Sequence, residues 1–198
     1  RVRRGELLAE FSSELDPKCA RAVSFQPQLD LGLEWCERGL LERHAAGHAV
    51  VAIAGLAQHR LCVGASAADI AALEARVERR AYEPGALIVR RGDAADTLFF
   101  LMRGEVSVIV DLPGGGHKRL STLSAGMGFG EAALIAGGSR SADVRADTTV
   151  ECCTLGAEAF ARLEAECPSL MIRLLHNLLH STANTAVRLT AEVAALEG

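Results

Sequence analysis

Short β-rich runs recur between Ala86 and Leu155, cut apart by glycine turns, and this rhythm restricts the fold more than any other feature of the chain. The runs are Leu87–Val89, Thr97–Met102, Glu105–Val110, Arg119–Leu123, Ser141–Arg145 and Val150–Leu155. Gly85, Gly92-Asp93, Arg103-Gly104 and Pro113-Gly-Gly-Gly116 stand between them. Many short strands at such spacing imply an all-β sandwich or barrel. Helical patterns flank this region on both sides. Leu29, Leu33, Trp35, Cys36, Leu40 and Leu41 share one face at helical spacing. Ser66 can cap a second helix, with Asp69 three residues on. Ile70, Leu73 and Val77 give that helix an apolar stripe, and Tyr82-Glu-Pro-Gly85 marks its expected end. After Leu155, Phe160 and Leu163 fit a short helix, and Pro168 suits the start of a long one reaching about Leu196 without internal Gly or Pro. The expected fold is mainly β with flanking helices: a small barrel of eight or so strands closed by a long C-terminal helix.

With 198 residues, 49% of them apolar, the chain has material for a sizeable core. A net charge of −4 gives no general attraction to nucleic acid, though a local basic pocket remains compatible with it. The longest apolar stretch, Ala49–Ala57, falls far short of the roughly 20 residues of a membrane span. The N-terminus is charged and has no signal-peptide pattern. It has no initiator methionine, so a fragment of a longer protein is expected. Cys19, Cys36, Cys62, Cys152, Cys153 and Cys167 match neither a CxxC metal site nor a dense disulfide framework. Reduced, mostly buried thiols and a cytoplasmic setting are expected.

Chemistry concentrates in Phe129-Gly-Glu-Ala-Ala-Leu-Ile-Ala-Gly-Gly-Ser-Arg-Ser-Ala142. A glycine and a carboxylate are followed nine positions later by an arginine. An anion site needs free backbone N–H groups, a glycine that admits the ligand to the backbone, and a guanidinium to clamp a phosphate. A carboxylate beside a phosphate repels it, so Glu131 makes sense as an acceptor for a hydroxyl, as from a ribose. The competing reading is structural: Glu131 and Arg140 form an internal ion pair in a domain that binds nothing.

This stretch resembles the phosphate-binding cassette of cyclic-nucleotide-binding domains, shared by bacterial catabolite activators, kinase regulatory subunits and cyclic-nucleotide-gated channels. The resemblance takes in Tyr82-Glu-Pro-Gly85, Arg91-Gly-Asp93, Asp96-Thr-Leu-Phe-Phe-Leu101, Gly104-Glu-Val-Ser-Val108 and Val144-Arg-Ala146, and covers roughly residues 66–197. It implies a double-stranded β-helix, jelly-roll-like, with cAMP or cGMP as ligand and no metal. By the same resemblance, Gly130 and Ala132 offer backbone N–H groups to the cyclic phosphate, and Glu131 binds the ribose 2′-hydroxyl. Arg140 pairs with the phosphate charge, Ser141 adds a hydroxyl contact, Ala133 lines the pocket, and the long helix lies over the base. Two departures stand out: Ser139 where the family usually has proline, and Ala132 where a larger apolar residue is frequent. Neither removes a ligand group.

The long helix carries a second pattern. Leu175, Thr182, Leu189 and Leu196 recur every seven residues, with Leu178, Thr185, Ala186 and Val193 extending the stripe. This predicts a coiled-coil seam and a parallel homodimer. His176 and His180 have i, i+4 spacing, but no acidic or thiol ligand stands near them, so surface or seam histidines are expected rather than a metal site. Pro113-Gly-Gly-Gly116 has no Lys-Ser/Thr after it and reads as a hairpin turn. Cys152 and Cys153 sit next to each other in a strand and should point to opposite faces of its sheet.

Leu29-Asp-Leu-Gly-Leu-Glu-Trp-Cys-Glu-Arg-Gly-Leu-Leu41 resembles the last helix of STAS domains. A STAS domain followed by a cyclic-nucleotide domain implies two bacterial hosts, class A glutaminases and sulfate-permease-type anion transporters. Arg140–Thr148 with Phe129-Gly-Glu131 is closer to the glutaminase version. The expected organisation is a STAS-like remnant over residues 1–43, a linker over 44–65, a barrel with its leading helix over 66–165, and a hinge or dimerisation helix over 166–198. The expected role is regulatory, controlling an attached catalytic or transport domain. The alternative is a dimerisation or docking domain with an empty pocket. No nucleophile, base and oxyanion set is present, so no catalysis by this chain is expected.

Overall fold

The computed structural model describes residues 52–112, 117–131 and 137–196, together with Cys36. The chain divides into two units, Arg1–Ala49 and Val50–Gly198, and the helices and strands described belong to the second. The helical stripe of Leu29 to Leu41 and the STAS-like segment lie outside the described residues, apart from Cys36.

Two 3-10 turns, Leu56–Gln58 and Arg60–Cys62, lead into helix α1, Ala67–Glu74. Ser66 caps α1 in a full capping box: its hydroxyl oxygen accepts from the Asp69 backbone N–H, and the Asp69 carboxylate accepts from the Ser66 N–H. Eight strands follow: β1 Glu78–Tyr82, β2 Leu87–Val89, β3 Thr97–Arg103, β4 Glu105–Asp111, β5 His117–Ser124, β6 Gly128–Phe129, β7 Asp143–Ala146 and β8 Val150–Gly156. Helices α2, Ala157–Glu166, and α3, Pro168–Leu196, complete the unit. The strands form two four-stranded antiparallel sheets, ordered β1-β8-β3-β6 and β2-β7-β4-β5.

The central strands β3 and β8 are buried on both faces, which explains their near-continuous apolar sequence. Phe99, Leu101 and Cys152 point between the sheets, into a core with Val106, Phe129, Val144 and Val150. Leu98, Phe100, Cys153 and Leu155 point the other way, into a core built with the helices. Cys152 and Cys153 thus take opposite faces, as strand geometry requires. Both thiols are free, and burial pushes Cys152 up to about 12.

The second core rests on α3. Leu170, Met171, Leu174 and Leu178 are buried against the sheet, each contributing roughly 1.5–3 kcal/mol. Leu178 is therefore a barrel contact, whereas the sequence pattern groups it with the seam. The outward face carries Ile172 (69% exposed), Leu179 (69%) and Val187 (70%).

Two further differences from the sequence reading have physical causes. Helix α1 stops at Glu74, and Glu78–Tyr82 is a strand rather than its last turns. The run Glu-Arg-Arg-Ala has no apolar alternation because all four residues are exposed; pairing with β8 holds the strand. Within the span read as a linker, Leu56, His59, Leu61 and Cys62 are buried in the core. His59 is fixed at three points: Nδ1 accepts from the Leu61 N–H at 3.2 Å, Nε2 lies 3.3 Å from the Met127 carbonyl, and the ring packs edge-on to Phe100. Burial holds this imidazole neutral, lowering its pKa to about 4.

Candidate functional site

The site starts from a short strand. β6 pairs with β3 through Phe99↔Phe129 and Phe100↔Gly128, and the Phe99 and Phe129 rings stack with centroids 4.6 Å apart. This places the next residue, Gly130, at the barrel rim. Its φ is +84°, which an L side chain rarely adopts, and an added Cβ would lie 2.7 Å from Arg140 Nη1 and 2.9 Å from the Thr97 carbonyl oxygen. Glycine is needed here for backbone and for space.

Arg140 reaches the same point from the far end of the cassette. The turn at Gly92-Asp93 grips it: the Gly92 N–H donates to the Arg140 carbonyl, and the Arg140 N–H donates to the Asp93 carbonyl, both at 2.9 Å. Ala94 and Ser139 bridge alongside. The guanidinium donates to the Gly130 carbonyl at 2.8 Å and the Thr97 carbonyl at 2.9 Å. The exposed Asp96 carboxylate stands 3.8 Å away, and Phe99 lies beneath the cation at 5.8 Å. Arg140 is only 6% exposed. Burial lowers its pKa, with Asp96, Glu131 and Asp93 opposing, and a guanidinium stays cationic throughout. Burial likewise pushes the Glu131 carboxyl up, against its backbone hydrogen bond and Arg140. Among the described residues Glu131 and Arg140 make no direct ion pair, although their charges favour each other; the guanidinium's hydrogen bonds go to the Gly130 and Thr97 carbonyls.

Both residues open onto a cavity of about 220 Å³. One wall is apolar: Val89, Val108, Leu120, Leu123 and Val144. The anion end has Gly130, Glu131, Arg140 and Ser141. Helix α3 closes the third side with Ser181, Thr182 and Thr185. The two threonine hydroxyls donate to the Leu178 and Ser181 carbonyls, while the Ser181 hydroxyl has no partner among the described residues. A cation and a desolvated carboxyl at one end, an apolar slot, and hydroxyls opposite suit a ligand with a phosphate, a sugar hydroxyl and a flat base.

Of the residues singled out by sequence, Gly130, Glu131, Arg140 and Ser141 come together in this cavity. Ala132 and Ala133 lie outside the described residues. Sequence reasoning gave no role to Thr97, whose carbonyl holds Arg140, nor to Asp96; the Asp96-Thr-Leu run was the available signal. His176 and His180 are exposed with ring centroids 4.5 Å apart, and among the described residues no cluster of His, Cys, Asp or Glu could hold a metal. No described helix is long and apolar enough to cross a membrane.

A family model for the cyclic nucleotide-binding domain matches residues 79–167, which run from β1 to the end of α2 and enclose every anion-end residue. Residues 79–167 belong to the cyclic nucleotide-binding domain family. Glutaminase 1 of Bradyrhizobium diazoefficiens is 38% identical over 165 residues, 83% of this chain and 26% of the relative. A cAMP-dependent protein kinase regulatory subunit of Colletotrichum orbiculare is 34% identical over 97 residues, 49% of this chain and 24% of the relative. The crystal structure of Thermus thermophilus catabolite activator protein superposes with a TM-score of 0.60 at 27% identity, over 70% of this chain and 63% of that one. The chain thus spans about a quarter of the length of the curated relatives it matches.

Proposed function

We propose that this chain is the sensor part of a longer, cytoplasmic protein: it binds cAMP or cGMP and controls an attached domain without chemistry of its own. The observation that carries this is the arrangement at the anion end, where a left-handed Gly130, a buried Arg140 and a desolvated Glu131 meet at one cavity. The cyclic phosphate lies against Gly130 and the cassette backbone, with Arg140 as counter-charge. Glu131 accepts the ribose 2′-hydroxyl, and Ser141 adds a hydroxyl contact. Ala132 contributes a backbone N–H and Ala133 lines the pocket, by the family resemblance alone. The base extends along Leu120 and Leu123 toward Ser181 on α3.

The attached domain is proposed to be a glutaminase. Similarity to Glutaminase 1 covers 83% of this chain, well beyond the nucleotide-binding span alone. Residues 1–43 are then a STAS-like remnant, 44–65 a connection, 66–165 the barrel with its leading helix, and 166–198 the signalling helix. Helix α3 also pairs two copies of the chain. Ile172 and Leu179 are exposed and seven residues apart, and Leu175 and Thr182 extend the same heptad pattern. Because Thr182 also lines the cavity, ligand and partner act on one helix.

Calorimetric titration with cAMP and cGMP tests the reading, beside Arg140→Ala and Glu131→Gln, each checked by thermal melting. Removing a charge-assisted phosphate contact should weaken binding more than tenfold. A folded wild type that takes up neither nucleotide overturns the sensor and leaves a dimerisation or docking domain. Glutaminase activity of the full-length gene product, modulated by the bound nucleotide, tests the host.

A further inference from the structure

The larger of two adjoining cavities is the one that the nucleotide reading does not use. It measures about 470 Å³ and shares Leu123, Met127, Gly128, Ser181 and Thr185 with the first. Arg60, Thr122, Asn177, His180 and Asn184 line it, and no carboxylate does among the described residues. The Arg60 guanidinium has no hydrogen-bond or ion-pair partner among the described residues, and its backbone is pinned by an N–H donated to the Gly126 carbonyl at 3.3 Å. Asn177 locks the same segment to α3, donating to the Leu61 carbonyl at 2.8 Å and the Val63 carbonyl at 3.1 Å. Among the described residues the cavity therefore presents an unpaired guanidinium carried on a pinned backbone, an imidazole and uncharged hydrogen-bonding groups. A site that is polar, cationic and free of acids takes an anionic, hydroxyl-rich ligand group.

We propose that this second cavity binds a phosphate-bearing nucleotide group, with Arg60 as its counter-charge and His180 as a further donor. Two sources supply that chemistry: the distal phosphate of a cyclic dinucleotide that spans both cavities, or a separate nucleoside monophosphate. The first source rests on the cyclic-nucleotide reading above; the second does not. In either case the occupant touches Ser181 and Thr185, so it alters the first pocket through shared walls, and the coupling must be reciprocal.

The test titrates the whole chain with cyclic di-AMP, cyclic di-GMP, AMP alone, AMP at saturating cAMP, and cAMP alone, for wild type and Arg60→Gln. Arg60 is exposed, so the variant should fold, which a melt confirms. The expected result is that a dinucleotide or AMP binds and that Arg60→Gln lowers its affinity relative to cAMP at least tenfold. Dinucleotide binding at one equivalent that excludes cAMP identifies a bridging ligand; AMP binding that persists at saturating cAMP identifies a separate one. If cAMP binds while AMP and both dinucleotides fail, or bind unchanged in Arg60→Gln, the second site is overturned and the first stands. If cAMP fails as well, AMP alone still decides the second cavity.

Discussion

Alanine at Gly130 and at Gly85 should cost very different amounts, although both glycines have nearly the same backbone. Gly130 has φ +84° and Gly85 φ +85°. A Cβ at Gly85 meets nothing within 4 Å, whereas one at Gly130 lies 2.7 Å from Arg140 Nη1 and 2.9 Å from the Thr97 carbonyl. A left-handed alanine costs roughly 1–2 kcal/mol. The stiffer unfolded chain returns about 0.4–1 of that, which leaves about 1 kcal/mol for Gly85→Ala. Gly130→Ala adds an overpacking cost of roughly 1–3 kcal/mol, because the β3 backbone at Thr97 cannot move without disturbing the sheet. Its total is about 2–4 kcal/mol. Urea denaturation with unchanged slope reads both values. Calorimetry should also show cyclic-nucleotide binding weakened in Gly130→Ala, where the guanidinium is displaced, and retained in Gly85→Ala. Equal loss of stability in the two variants would refute the close approach, and with it the placement of Arg140 against the rim.

Three further outcomes follow from the geometry. Wild type and His59→Gln should converge in stability as pH falls: the folded ring is neutral to about 4 against an ordinary 6.5, so its contribution is full above pH 6.5 and declines toward 4, by about 2 kcal/mol between pH 7 and 5. A difference that is flat with pH in chemical denaturation removes the buried neutral imidazole. Glu131→Gln should raise stability at neutral pH and weaken nucleotide binding, since burial raises the folded carboxyl's pKa and the favourable protonated form is lost as pH rises; a stability gain that persists below the carboxylate range contradicts this. Ile172→Glu with Leu179→Glu should convert a dimer to a monomer in sedimentation velocity with little change in melting, as both side chains are exposed; a wild type already monomeric at high concentration removes the pairing.

What could be read from sequence divides along physical lines. β3, β4 and β8 announce themselves because burial demands apolar runs and glycine turns bound them. β1 does not, because Glu78-Arg-Arg-Ala is exposed and its order comes wholly from β8. β6 has two residues and no period of its own. Leu56–Cys62 buries four side chains on 3-10 turns, which carry neither the helical nor the strand period, so a packed segment resembles a connector. At the candidate site, the sequence singled out Gly130, Glu131 and Arg140 by residue type and spacing, and the structure brings the three to one cavity. Thr97 acts through its carbonyl, which any residue supplies, and Ser181 reaches the cavity only through the path of α3.

Helix α3 also limits how lineages of this domain can diverge. Leu170, Leu174 and Leu178 seat it on the barrel, and three residues later Ser181 forms cavity wall. One inserted or deleted residue between Leu178 and Ser181 would rotate everything beyond it by about 100°. The wall hydroxyls and the outward stripe would move together. Substitutions can therefore tune this helix position by position, but changes of length are tolerable only past Thr185, and descendants should keep this interval fixed while their C-terminal ends vary.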